Sequence, residues 1–138
     1  MTYLLDTSVI SEGRKRRPDP RVVRWIADVA SSELFLSVLV LGEIAHGIER
    51  LRRRNDDVQA DAIAAWLGVV KTTYAERVLP VTAAVAERWG RLNAARPLPA
   101  IDGLLAATAL EHGLTLVTRD TRPLARTGVA FFDPWQRG

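Results

Sequence analysis

The stretch IDGLLAATALEHGLTLVTRD, Ile101 to Asp120, reads as a helix, a stop and a strand in immediate succession. The helix runs from Ile101 to His112 and Gly113 ends it, because glycine readily takes the left-handed conformation favoured just past a helix C-terminus. Leu114 to Thr118 then reads as a short apolar strand. Within the helix, GLLAATAL is apolar nearly all round, which places it between other elements rather than on the surface.

The same alternation extends in both directions. Tyr3 to Leu5 is an apolar run that enters Asp-Thr-Ser, read as a buried strand followed by a turn. Arg21 to Ala30 has helical spacing in Val22, Val23, Trp25, Ile26 and Val29, and Leu34 to Val38 reads as the second strand. Val40 to Arg54 is helical with Leu41, Ile44, Ala45, Ile48 and Leu51 on one side. From Asp56 to about Glu76, Ile63, Trp66, Leu67, Val70 and Tyr74 make another apolar face. Val78 to Val81 is a short strand that Pro80 assigns to an edge, and Thr82 can cap a helix reaching about Ala95. Val129 to Phe132 is the last strand. Strands separated by helices of this length predict an α/β fold with a mainly parallel central sheet covered on both faces.

The chain of 138 residues fits a single domain, 1–138, and its 48% hydrophobic and 25% charged composition is that of a globular protein. With no cysteine, disulfides and zinc–thiolate chemistry are excluded. Asp6 interrupts the first apolar run, and no apolar run is long enough to span a bilayer, so a cytoplasmic location is expected. The net charge of +3 is unevenly spread, with basic runs at Arg14-Lys15-Arg16-Arg17 and at Arg50, Arg52, Arg53 and Arg54. Positive surface of this kind would attract polyphosphate, and Arg14, Lys15, Arg16 and Arg17 are candidates for gripping backbone phosphates; solvated surface is the plainer reading of either run. Apolar residues within 22–29 and 41–51 suit either an interface or the core.

Four carboxylates stand at the ends of apolar elements: Asp6 after YLL, Glu43 in LVLGE, Asp102 after PAI and Asp120 after LVTR. In parallel sheets ligands bind outside the carboxyl ends of the strands, so these acids have a common place to meet. Two carboxylates about 4 Å apart repel by roughly 4 kcal/mol at an effective dielectric near 20, so a cluster must share protons, pair with bases or hold a cation. Oxygen-only donors suit Mg²⁺ or Mn²⁺. Each acid also has a plainer role: a turn or cap for Asp6, a first-turn helix acid for Asp102, a polar helix face for Glu43, and a cap before Thr121-Arg122-Pro123 for Asp120. Glu43 is expected in the first turn of its helix. Thr7, Ser8 and Thr118 border the acids and could orient them. His46 and His112 are isolated and read as surface residues.

Taken together, LLDTSVIS, the glutamate of LVLGEIAHGI, IDGLLAATALEHGLTLVTRD and the closing FFDPW resemble the PIN-domain ribonucleases, specifically toxins of the VapC and FitB type. The resemblance spans nearly the whole chain. It implies a three-layer α/β/α sandwich and an acidic site at Asp6, Glu43, Asp102 and Asp120, with Asp120 at the family's variable position. It also implies Mg²⁺- or Mn²⁺-dependent cleavage of RNA by an activated water, a homodimer, and a small antitoxin protein as partner. Two rivals are a Mg²⁺-dependent phosphoryl-transfer domain, which needs a helper lysine where only Lys15 and Lys71 exist, and a catalytically silent RNA- or protein-binding domain.

Overall fold

Five strands form the sheet: β1 (Tyr3–Leu5), β2 (Leu34–Ser37), β3 (Val78–Leu79), β4 (Thr115–Val117) and β5 (Phe131–Phe132). They lie in the order β3-β2-β1-β4-β5, and every pairing is parallel. The computed structural model describes residues 1–136; residues 137 and 138 of the expected domain lie outside them. Parallel neighbours cannot be joined by tight hairpins, so α-helices carry the chain between all strands except β4 and β5, which a loop with one 3-10 turn (Arg122–Leu124) connects. The helices are α1 (Thr7–Glu12), α2 (Pro20–Asp28), α3 (Val38–Arg53), α4 (Asp57–Thr73), α5 (Ala83–Ala95) and α6 (Ala100–His112).

Leu4, Leu5, Leu36 and Val117 in the strands are fully enclosed, together with Val9, Val22, Val40 and Leu105 from the helices. The apolar α6 behaves as its composition requires: Gly103 and Leu105 through Ala109 are buried, and the helix packs on β1 and β4. Gly113 closes it at φ 66°, and the Leu114 N–H reaches back to the Ala109 carbonyl at 2.8 Å. The Thr82 hydroxyl caps α5 by accepting from the Val85 N–H at 3.2 Å.

Three expectations need correction. The Asp-Thr-Ser segment is not a turn: it starts α1 at once, because the residues that favour turns also favour helix N-termini, and the six-residue helix is too short to show a period. Val38 belongs to α3, whose cap is the Ser37 hydroxyl, so Glu43 stands in the second turn and not the first. The β3 strand stops at Leu79, before Pro80. Of the segments that suited either an interface or the core, Val22, Trp25, Ile44 and Leu51 face inward; the Trp25 ring meets Tyr3 edge-on at 5.0 Å and lies 5.4 Å from Phe132.

Candidate active site

The strand order runs outward from β1 to β2 and β3 on one side and to β4 and β5 on the other. The crevice of such a sheet opens where the order reverses, at the carboxyl ends of β1 and β4. Asp6 lies one residue past β1, its N–H donating to the Val117 carbonyl at 2.9 Å. Its carboxylate is held on both oxygens. Oδ1 accepts from the Thr7 N–H at 2.7 Å, while Oδ2 accepts from the Ser8 hydroxyl at 3.0 Å and the Thr118 hydroxyl at 2.7 Å. Asp6 is thus the N-cap of α1 and a fixed acid in the crevice at once; its two readings are compatible. Hydroxyl donors orient a carboxylate without neutralising it.

Glu43 approaches from α3, and its Oε1 accepts from the Thr7 hydroxyl. Burial pushes its pKa above the ordinary carboxylate value; the Thr7 bond draws it back, and the negative charges of Asp6 and Asp102 raise it again. Asp102 sits in the first turn of α6, with its pKa raised by burial and then by Asp6 and Asp120. The turn that carries Asp102 is set by a close approach: a Cβ on Gly103 would meet the Trp89 ring of α5 at 3.0 and 3.1 Å. Asp120 is different. It is exposed at the rim, accepts from the Arg122 N–H and guanidinium at 3.0 to 3.3 Å, and is held below the usual carboxylate range by that arginine.

The structure therefore gathers Asp6, Glu43 and Asp102 as half-buried acids, the proton affinity of the latter two raised by burial and then by neighbouring negative charge, with Asp120 paired at the edge. Among the described residues, no three histidine, cysteine, aspartate or glutamate side chains close into a ready-made metal cage. The donors are all oxygen, which fits a hard divalent ion that keeps several waters and takes few carboxylates.

The basic segment after α1 is only partly free. Lys15, expected as a phosphate grip, instead pairs at 2.8 Å with Glu12, whose side chain is 5% exposed. The other Glu12 oxygen accepts from the Asp19 N–H at 2.8 Å, closing the loop on itself. The Arg14 guanidinium lies 5.5 Å over the Trp66 ring, which leaves Arg16 and Arg17 exposed without such contacts. Sequence reasoning passed over Glu12 and Arg119. Spacing of three to Lys15 signalled the first; the second precedes Asp120, donates its N–H to Ser8 Oγ at 3.4 Å and lies 5.1 Å over Trp135. His46 and His112 are both exposed.

A parallel five-stranded sheet with acids at its switch point defines an α/β domain with an acidic crevice, and the chain belongs to the PIN domain family, whose model matches residues 3–130. It is 32% identical over 138 residues to Toxin FitB of Neisseria gonorrhoeae, covering 96% of this chain and 97% of that one. VapC ribonuclease Y4jK of Sinorhizobium fredii is 31% identical over 144 residues, with 96% and 97% covered. The crystal structure of FitAcB from Neisseria gonorrhoeae matches with a TM-score of 0.83 at 31% identity, covering 99% of this chain and 100% of that chain.

Proposed function

We propose that this protein is a metal-dependent endoribonuclease acting as the toxin of a toxin–antitoxin pair. The observation that carries the reading is the gathering of Asp6, Glu43 and Asp102 at the sheet's switch point, where each of the latter two is made harder to ionise by burial and then by its acidic neighbours. A bound Mg²⁺ or Mn²⁺ would supply the Lewis acidity that polarises a phosphodiester and lowers the pKa of an attacking water. Asp6 and Asp102 are ligands in this reading, joined by Asp120 once it exchanges its Arg122 partner for the ion. Glu43 holds a second ion or orients the water. Ser8 and Thr118 keep Asp6 in place, and Thr7 does the same for Glu43.

The similarity to proteins named a toxin and a VapC ribonuclease supports this assignment, and a toxin implies a neutralising antitoxin protein as partner. A homodimer follows from the same family, to be measured by light scattering. The described residues contain no helix long and apolar enough to cross a membrane, in keeping with action on cytoplasmic RNA. The phosphoryl-transfer rival finds no free lysine after a strand, since Lys15 is engaged by Glu12 and Lys71 lies exposed in the last turn of α4.

The test is incubation with total RNA in Mg²⁺, Mn²⁺ or EDTA, followed by mapping of the cut ends. Cleavage with a divalent ion should leave 5′-phosphate and 3′-hydroxyl termini, and Asp6→Asn should abolish it. Products ending in 2′,3′-cyclic phosphate would overturn the mechanism, and absence of any cleavage would favour the silent binding module.

A further inference from the structure

A groove of about 960 Å³ starts at Asp120 and runs beside β5, lined by Tyr3, Trp25, Phe132, Arg119 and Arg122 among others. We propose that this groove is a nucleobase subsite, taking unpaired bases of a single-stranded RNA whose phosphate lies at the acids; the proposal rests on the nuclease reading.

Its wall is aromatic. Trp25, 4% exposed, backs two half-exposed rings, meeting Tyr3 edge-on at 5.0 Å and Phe132 at 5.4 Å. Base stacking on such rings tolerates any sequence, because every base has a π-face. The volume lies near the upper end of the roughly 300–1,000 Å³ of small-ligand pockets, room for more than one base.

Position and charge select the occupant. Asp120 lines the groove, and the N–H of Arg119, another lining residue, donates to the Ser8 hydroxyl that holds Asp6, so the Asp120 end of the groove adjoins the acidic crevice. Arg119 and Arg122 flank Asp120 and line the same groove; Arg122 is paired with Asp120 at 3.0 Å, so the positive charge offered to the backbone of an entering strand is that of Arg119. Arg119 is already ordered over Trp135. The acidic lining residue Asp133 is occupied by the Trp135 N–H at 2.8 Å and acts on Arg21.

The experiment uses full-length Asp6→Asn protein, silent in cleavage, and a fluorescein-labelled single-stranded RNA dodecamer read by fluorescence anisotropy. A second probe has the same backbone with abasic residues. Removing the bases should weaken binding about ten-fold, within the range stacking supplies. The pair Tyr3→Leu and Phe132→Leu keeps apolar bulk while removing the rings. Ala130→Leu fills the groove from an exposed lining position and keeps the measurement open should the first variant fail to fold. Both should bind intact RNA about ten-fold more weakly and the abasic probe unchanged.

Unchanged affinity of the filled variant for intact RNA would overturn the subsite. So would an equal cost of base removal in filled and parent protein. Retained RNA affinity with lost binding of a partner polypeptide would reassign the groove to a protein strand added along β5, and also overturn it. Because cleavage is silenced, failure here leaves the nuclease reading standing; wild-type protein that cuts no RNA yet shows base-dependent binding would sink the nuclease reading and keep the subsite.

Discussion

The Thr118 hydroxyl donates to Asp6 Oδ2 at 2.7 Å, joining residues 112 positions apart in the chain. Leu5 and Val117 are register partners in adjacent parallel strands, so the residues that follow them emerge side by side. The bond spans the place where strand order reverses. It fixes one oxygen of the acid on which the proposed chemistry depends.

Thr118→Val keeps the volume and removes that donor. Loss of a group that orients a metal ligand typically costs ten- to a hundred-fold in activity or metal affinity. RNA cleavage rates should fall by about ten-fold or more at saturating Mg²⁺, while Tm moves little, because a single hydrogen bond contributes only about 1 kcal/mol net. An unchanged cleavage rate would show that Ser8 and the Thr7 N–H hold Asp6 without help.

Metal binding should appear in stability as well as in activity. An ion that binds the folded chain at a hundred times its Kd stabilises by about 2.7 kcal/mol. Thermal melts in Mg²⁺ or Mn²⁺ against EDTA should show a rise in Tm for the wild type, and Asp6→Asn should remove it. Equal melting curves with and without the ions would count against a metal centre here.

Glu43 and Asp102 have raised pKa values, burial being the first cause in each. The folded state therefore takes up protons before the unfolded chain as pH falls. These acids cost stability at neutral pH, and the cost disappears as pH drops through their raised folded values. In metal-free buffer, Glu43→Gln and Asp102→Asn should each raise Tm by a few degrees at pH 7, since about 1 kcal/mol moves Tm by roughly 4 °C in a chain of this size. The advantage over wild type should shrink on acidification, and a gap independent of pH would refute the electrostatic origin.

The basic loop divides into residues that hold it and residues free to bind. Glu12 has its pKa lowered chiefly by Lys15, so its contribution is present above the ordinary carboxylate range and lost as pH falls through the depressed value. Glu12→Ala and Lys15→Ala should lower Tm, with the greater loss in Lys15→Ala at neutral pH because it strands a buried charge. Arg16→Ala and Arg17→Ala should spare Tm and each reduce the slope of log Kd for RNA against log salt by about 1. Salt titrations that give parallel lines would return both arginines to plain surface.

Gly103 is a packing requirement of the helix that carries Asp102. Gly103→Ala places a methyl at 3.0 Å from the Trp89 ring, and overpacking of this kind costs about 1–3 kcal/mol. Cleavage should fall together with Tm, and Trp89→Leu in the same chain should restore part of the Tm. No change in either quantity would mean that the ring moves aside freely.

The class of fold was legible because α6 and β4 advertise it: a helix apolar all round must be buried between other elements, the strand that follows supplies a sheet for it to cover, and Gly113 marks where one ends and the other begins. Candidate acids were legible for a similar reason, each standing where an apolar run stops. Thr7, Ser8 and Thr118 could be suspected from adjacency, and the structure shows each bonded to Asp6 or Glu43. Helix α1 was hidden, since six residues hold less than two turns and Asp-Thr-Ser fits a turn equally well. Trp25 could not be assigned to core or surface from its spacing alone, because helical periodicity shows that a face is apolar without showing what covers it.

From the chain alone come the alternating elements, the parallel sheet and the list of acids, since periodicity, capping residues and apolar runs are local properties written in consecutive residues. Tertiary structure alone decided which charges remain available: Lys15 is tied to buried Glu12, Asp120 is paired at the rim, and Glu43 and Asp102 are left half-buried within reach of the Asp6 charge. Proton affinity and ion pairing depend on distance and burial across segments far apart in sequence, and those are set only when the strands find their register.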